Sequence, residues 1–197
     1  IFILMVLLSP LSSFALEDEE IPASLDFERR AAAVTRWEIP VGGGEFFGDK
    51  LEHSFIVGSG LYYHLTPVLA IGADFNYSRI NYDPLGDLGQ GVTNPNLYLI
   101  GGTLQVNLPG AYHSGKTITE VDFYTLLGGA AININDSYHG AGCIGGGMKI
   151  YTRWSWFSFK TEVREYLWSV PTRSGSAFEA DVTIFLGPSF LIPPYLN

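Results

Sequence analysis

Charged side chains are sparse in this chain, and those with chemistry to offer recur at every second position. Lys160, Glu162 and Arg164 alternate with apolar neighbours, and so do Glu179 and Asp181. Side chains alternate faces along a β-strand, so each set shares one face. Glu38, Asp74, Asp122 and Lys149 fall on the polar parity of their own alternating segments. Such a row suits three chemistries: a gated polar path, a catalytic carboxylate pair, or ion pairs that neutralise one another. Buried ions in a confined space must generally be paired. The ion-pair reading is therefore the expected one.

Other reactive residue types lack a supporting pattern. His53, His64, His113 and His139 share no short ligand spacing, and no cysteine pair accompanies them, so no metal is expected. Ser54 with His53 or His139 and a loop acid could form a hydrolytic site, but no spacing singles these residues out. Cys143 stands alone, which excludes an intrachain disulfide, and it reads as a small inward residue. The runs Gly42-Gly43-Gly44 and Gly145-Gly146-Gly147 are not followed by the Lys-Ser/Thr of a phosphate loop. They suit kinks or close contacts in a strongly curved sheet. No cofactor is implied.

These residues sit in a chain of 197 residues that is 47% hydrophobic and only 16% charged. A water-soluble domain usually carries about 25% charged residues, so much of the surface is expected to avoid water. A formal charge of −9 argues against nucleic acid as a partner. Residues 1–15 read as a secretory leader without its positive start: an apolar run, then Ser13 and Ala15 at the positions a signal peptidase inspects. Residues 16–35, charged and Ala-rich, read as a periplasmic lead-in. Nothing after residue 15 is apolar for the ~20 residues a spanning helix needs.

From residue 36 the chain alternates with period 2, the signal of strands with two different faces. The segments fall near residues 36–46, 54–65, 69–82, 98–108, 121–133, 142–151, 156–168 and 178–186. They are longer than the ~5–6 residues of a usual strand and match the ~9–11 of a tilted membrane strand. Thr66-Pro67 and Thr152-Arg153 read as tight turns, with longer loops at 83–96, 135–140 and 169–177 between them. Aromatic residues cluster at strand ends: Trp37, Phe46-Phe47, Tyr62-Tyr63, Tyr82, Tyr98, Trp154, Trp156, Trp168 and Phe190. Such girdles mark a spanning barrel. The expected fold is all-β: a closed, antiparallel, up-and-down transmembrane β-barrel over residues 36–193, with a tail at 194–197. About eight strands are expected, or ten if the long connection at 109–119 folds into a further pair.

The stretches at 36–43, 57–67, 159–166 and 178–193 resemble the outer membrane beta-barrel domain family known from myxobacteria and other proteobacteria. That family is similar in architecture to small OmpA-type barrels. The resemblance implies a barrel in the bacterial outer membrane and carries no catalytic residues over. Gly187, Phe190 and Ile192 fit the G-x-x-Φ-x-Φ spacing of a final-strand signal read by the barrel-assembly machinery. Pro188 departs from that pattern, as does the chain's continuation through Pro193-Pro194. The expected partners are outer-membrane lipids, the assembly machinery during biogenesis, and a protein reached through outer loops or the lead-in. The expected role is structural or interactive, with a lumen closed by ion pairs. A transport barrel for small or hydrophobic solutes, and a lipid-modifying enzyme, are the alternatives.

Overall fold

Period-2 alternation becomes eight strands in a computed structural model that describes residues 37–48, 53–80, 96–114, 117–134, 136–152, 156–172 and 175–192. The expected leader, lead-in and C-terminal tail lie outside the described residues, as do Tyr82 and Trp154. The strands are β1 (Trp37–Phe47), β2 (Ser54–His64), β3 (Leu69–Arg79), β4 (Asn96–Ser114), β5 (Thr117–Ile134), β6 (Ser137–Tyr151), β7 (Phe157–Thr172) and β8 (Gly175–Ile192). Each pairs antiparallel with the next. β8 pairs back onto β1 to close an eight-stranded barrel. Closure puts Trp37 opposite Ile192, so both ends of the barrel chain lie at the same rim.

The tight turn after β2 is built by Thr66. Its hydroxyl accepts hydrogen bonds from the N–H groups of Leu69 (2.9 Å) and Val68 (3.3 Å). At the opposite rim, β5 and β6 meet with Ile134 paired to Ser137. Asp136 there takes φ 66°, the left-handed conformation that a two-residue hairpin loop favours. Its N–H donates to Asn133 Oδ1 at 3.2 Å. The loop expected at 135–140 is therefore a short turn, because β6 begins already at Ser137.

The long connection at 109–119 does not make strands nine and ten. It continues β4 and β5 as a ribbon beyond the rim. β3 leaves β4 after Leu69 pairs with Val106, and β6 leaves β5 after Ile150 pairs with Val121. Ala111 to Ser114 then pair only with Thr117 to Glu120. β7 and β8 do the same at the other rim, where Thr172 pairs with Gly175 inside the loop expected at 169–177. Antiparallel neighbours can keep hydrogen-bonding each other after the rest of the sheet has turned away.

Inward glycines make room in so narrow a barrel. A Cβ at Gly42 would collide with the carbonyl of Leu186, and one at Gly147 with the Tyr124 hydroxyl at 2.5 Å. The second contact shows the logic: a glycine on one wall seats a large side chain from the next.

Candidate functional site: the barrel interior

An eight-stranded barrel has an interior just wide enough for side chains to fill. Here that filling is layered. Towards the rim with the β5–β6 turn lies an apolar cluster of Phe46, Ile56, Ile80, Leu97, Leu99 and Ile132, with Cys143 and Trp168. The remainder of the interior is mostly polar and holds the buried charges. Each of the nine charged residues on the inward parity is 8% exposed or less.

Two groups of ion pairs form. In the first, Arg164 joins Asp74 of β3 through Nη1 and donates from Nη2 to Glu162 Oε1 at 2.6 Å. Glu162 Oε2 stands 3.2 Å from Lys160 Nζ and accepts from the Tyr124 hydroxyl at 3.0 Å. Lys160 lies over the rings of Tyr62 (4.2 Å) and Tyr124 (4.8 Å), and two aromatic faces stabilise a desolvated ammonium. In the second group, Glu38 Oε2 accepts from Lys149 Nζ at 2.5 Å and lies 2.9 Å from His64 Nε2. Its Oε1 accepts from Ser189 Oγ at 3.0 Å.

The other three carboxylates are not in these groups. Asp122 accepts from the Tyr151 hydroxyl at 2.7 Å, and Asp181 from Trp168 Nε1 at 2.7 Å. Glu179 is buried opposite Trp168. Although β7 and β8 are neighbours, Glu179 and Asp181 stand opposite Trp168 and Tyr166, not opposite the β7 charges. Lys160, Glu162 and Arg164 face Gly187, Phe185 and Thr183 across the β7–β8 ladder. Lys160 and Arg164 meet Glu162 of their own strand, and the other carboxylates that reach the β7 and β6 cations, Asp74 of β3 and Glu38 of β1, come from across the lumen.

Several contributing residues stand on the other face from the one their sequence position suggested. Phe46, Tyr62 and Trp168 were assigned to the girdles, yet each is at most 2% exposed and points inward. Their parity was the available signal: Trp168 shares the even positions of Lys160, Glu162 and Arg164. In Phe46-Phe47 and Tyr62-Tyr63, alternation allows only one ring outside. Ser54, His53 and His139 do not assemble. Ser54 Oγ is 2.8 Å from Ser78 Oγ inside, while His53 pairs with Glu45 on the outer face. His139 packs on Trp168 at 5.1 Å between centroids. What surrounds the His113 side chain lies outside the description.

After the side chains are packed, the ionic layer leaves a cavity of about 20 Å³, bounded by Asp74, Lys160, Glu162, Arg164 and the rings of Tyr62 and Tyr166. A single water needs about 10–15 Å³ by the same measure. The space admits a water, not a solute.

The outer face is largely apolar, with Glu45 and Glu165 as outward charges. Outward positions of β8 include Phe178, Ala180, Ile184, Leu186, Phe190 and Ile192, without a charge among them. Leu127 is 63% exposed and Leu186 58%. Phe178 and Phe190 are twelve steps apart. At about 3.3 Å per residue and ~40° tilt this spans ~30 Å along the axis, close to the ~25 Å apolar band of a membrane barrel. At one edge Trp156 stacks on Phe190 (6.2 Å) and Trp37 meets Tyr63 (4.8 Å); at the other, Tyr77 meets Tyr98 (5.3 Å). Gly187 of the G-x-x-Φ-x-Φ stretch is buried, while Phe190 and Ile192 face outward.

No protein-family model matches the chain, and no curated protein matches it in sequence. A solved structure does. Outer membrane protein AlkL, determined in DMPC lipid bilayers, matches with a TM-score of 0.52 and 13% identity, over 82% of this chain and 92% of its own. This chain has the fold of a small outer-membrane β-barrel. Neisserial surface protein A matches with a TM-score of 0.47 at 12% identity, over 79% of this chain and 97% of its own. The N-terminal barrel of Pseudomonas aeruginosa OprF gives 0.44 at 16% identity, over 80% and 98%. At these identities the likeness is one of fold.

Proposed function

We propose that this chain resides in the bacterial outer membrane as a structural or interaction barrel whose lumen is closed by its own ion pairs. The apolar belt would touch lipid acyl chains, and the barrel-assembly machinery would insert it. Partner proteins would meet the outer loops or the lead-in. The stretches at 36–43, 57–67, 159–166 and 178–193 carry the proposed kinship with the myxobacterial-type barrel family. The reading gives the protein no chemical step.

One observation supports closure above the rest. Arg164, Lys160 and Lys149 each engage a carboxylate or ring within the lumen, and the gap beside Lys160 and Arg164 is about 20 Å³. The transport alternative needs a wider path, and the hydrolytic alternative needs a serine beside a histidine. Planar-bilayer recording tests the reading. The wild-type barrel should insert without steady current. K160A/R164A should admit a current favouring cations, because among the described residues six inward carboxylates face three inward lysines and arginines in the wild type. A steady wild-type conductance would refute closure.

A further inference from the structure

Closing the barrel requires β1 to meet β8, the first and last of the described strands. That joint carries an interruption. Trp37 to Pro40 pair with Ile192 to Ser189, and pairing resumes only where Gly43 meets Leu186. Val41 and Gly42 lie in the gap, facing Gly187 and Pro188. Pro188 has no N–H to give to the ladder. The other side of β1 is interrupted as well. Glu38 pairs with Tyr62, and pairing resumes where Val41 meets Ser59, stepping over Pro40. β1 thus breaks its pairing at adjacent positions, at Ile39 and Pro40 towards β2 and at Val41 and Gly42 towards β8.

Directly beneath that level, inside the barrel, sits the fully buried carboxylate of Glu38. Its two oxygens reach three other strands: His64 of β2, Lys149 of β6 and Ser189 of β8. Ser189 stands opposite Pro40 in the β1–β8 register, at the edge of the gap. A carboxylate that accepts from a cation and a hydroxyl makes charge-assisted bonds, roughly twice as strong as neutral ones. The bonds converge on one atom group, so they hold the joint as a unit.

We propose that Glu38 is the latch of the closing seam, supplying between β1 and β8 the hold that Pro188 withholds from that ladder. Loss of the latch frees the seam first, while ladders distant from it keep their protection. The Glu38–Ser189 bond ties the latch to β8, and the Glu38–Lys149 pair ties β1 to the far wall. The inference stands apart from whether the lumen conducts.

Hydrogen exchange read by mass spectrometry on the full chain in lipid nanodiscs tests it. In S189A, which removes one bond and no charge, amides of β1 and β8 should exchange several-fold faster, with β3 to β5 unchanged. In E38A the same segments should exchange at least tenfold faster. A disulfide from I39C/F190C, whose positions face each other across the seam, should restore slow exchange in the E38A background. If E38A does not fold, E38Q takes its place, with the same disulfide expected to restore protection. Exchange that rises uniformly over all eight strands would overturn the proposal. So would an unchanged seam in S189A together with E38A or E38Q, or a formed disulfide that restores nothing.

Discussion

Replacing Arg164 by methionine tests whether the lumen is held by paired charges. Arg164 is 3% exposed and serves two carboxylates, which respond differently to its loss. Glu162 keeps Lys160 at 3.2 Å and the Tyr124 hydroxyl at 3.0 Å. Asp74 loses the group that binds its Oδ1, and its Oδ2 has no hydrogen-bond partner. The penalty is thus that of stranding one buried carboxylate, about 3–5 kcal/mol. With a urea slope near ~2 kcal/mol per M, the unfolding midpoint should fall by roughly 1.5–2.5 M. Tryptophan fluorescence of the barrel in detergent micelles would report it. A double-mutant cycle then locates the cost. R164M/D74L should recover most of the loss, because the stranded charge is gone. R164M/E162Q should recover little. A loss below about 1 kcal/mol in R164M, or equal recovery by both double variants, would mean that water reaches these groups and the pairing does not carry the interior.

Two further outcomes follow from the same geometry. A Cβ at Gly101 would collide with Asp74 Oδ2, whereas at the outward neighbour Gly102 the nearest atom is the Gly72 carbonyl at 4.0 Å. G101A should therefore destabilise the barrel measurably, and G102A should stay within about 0.5 kcal/mol of wild type in the same urea assay. On the lipid side, I184R in mid-belt should cost about 2–4 kcal/mol in vesicles, while F178R at the rim should cost ~0–1 kcal/mol. Equal costs at the two depths would remove the bilayer from the explanation.

How much of this could be read in advance varies residue by residue. Parity was legible wherever a segment alternates cleanly. Lys160, Glu162 and Arg164 point inward and Phe159, Val163 and Leu167 outward, as their spacing requires. The apolar cap was harder to see, because Leu97-Tyr98-Leu99-Ile100 is apolar on both parities. The ribbon at 111–120 looked like spare strands because nothing in its composition says where β3 and β6 stop.

Which side of each strand faces inward was determined by the sequence itself, since alternation follows from local backbone geometry. So were the all-β class and the apolar outer rows. Partner choice among the inward charges was decided only by the closed tertiary structure. Strand register and stagger around the ring set whether Asp181 or Asp74 lies within reach of Arg164, and those are properties of all eight ladders together. The narrow lumen then lets opposite walls touch, which is how Glu38 on β1 meets Lys149 on β6.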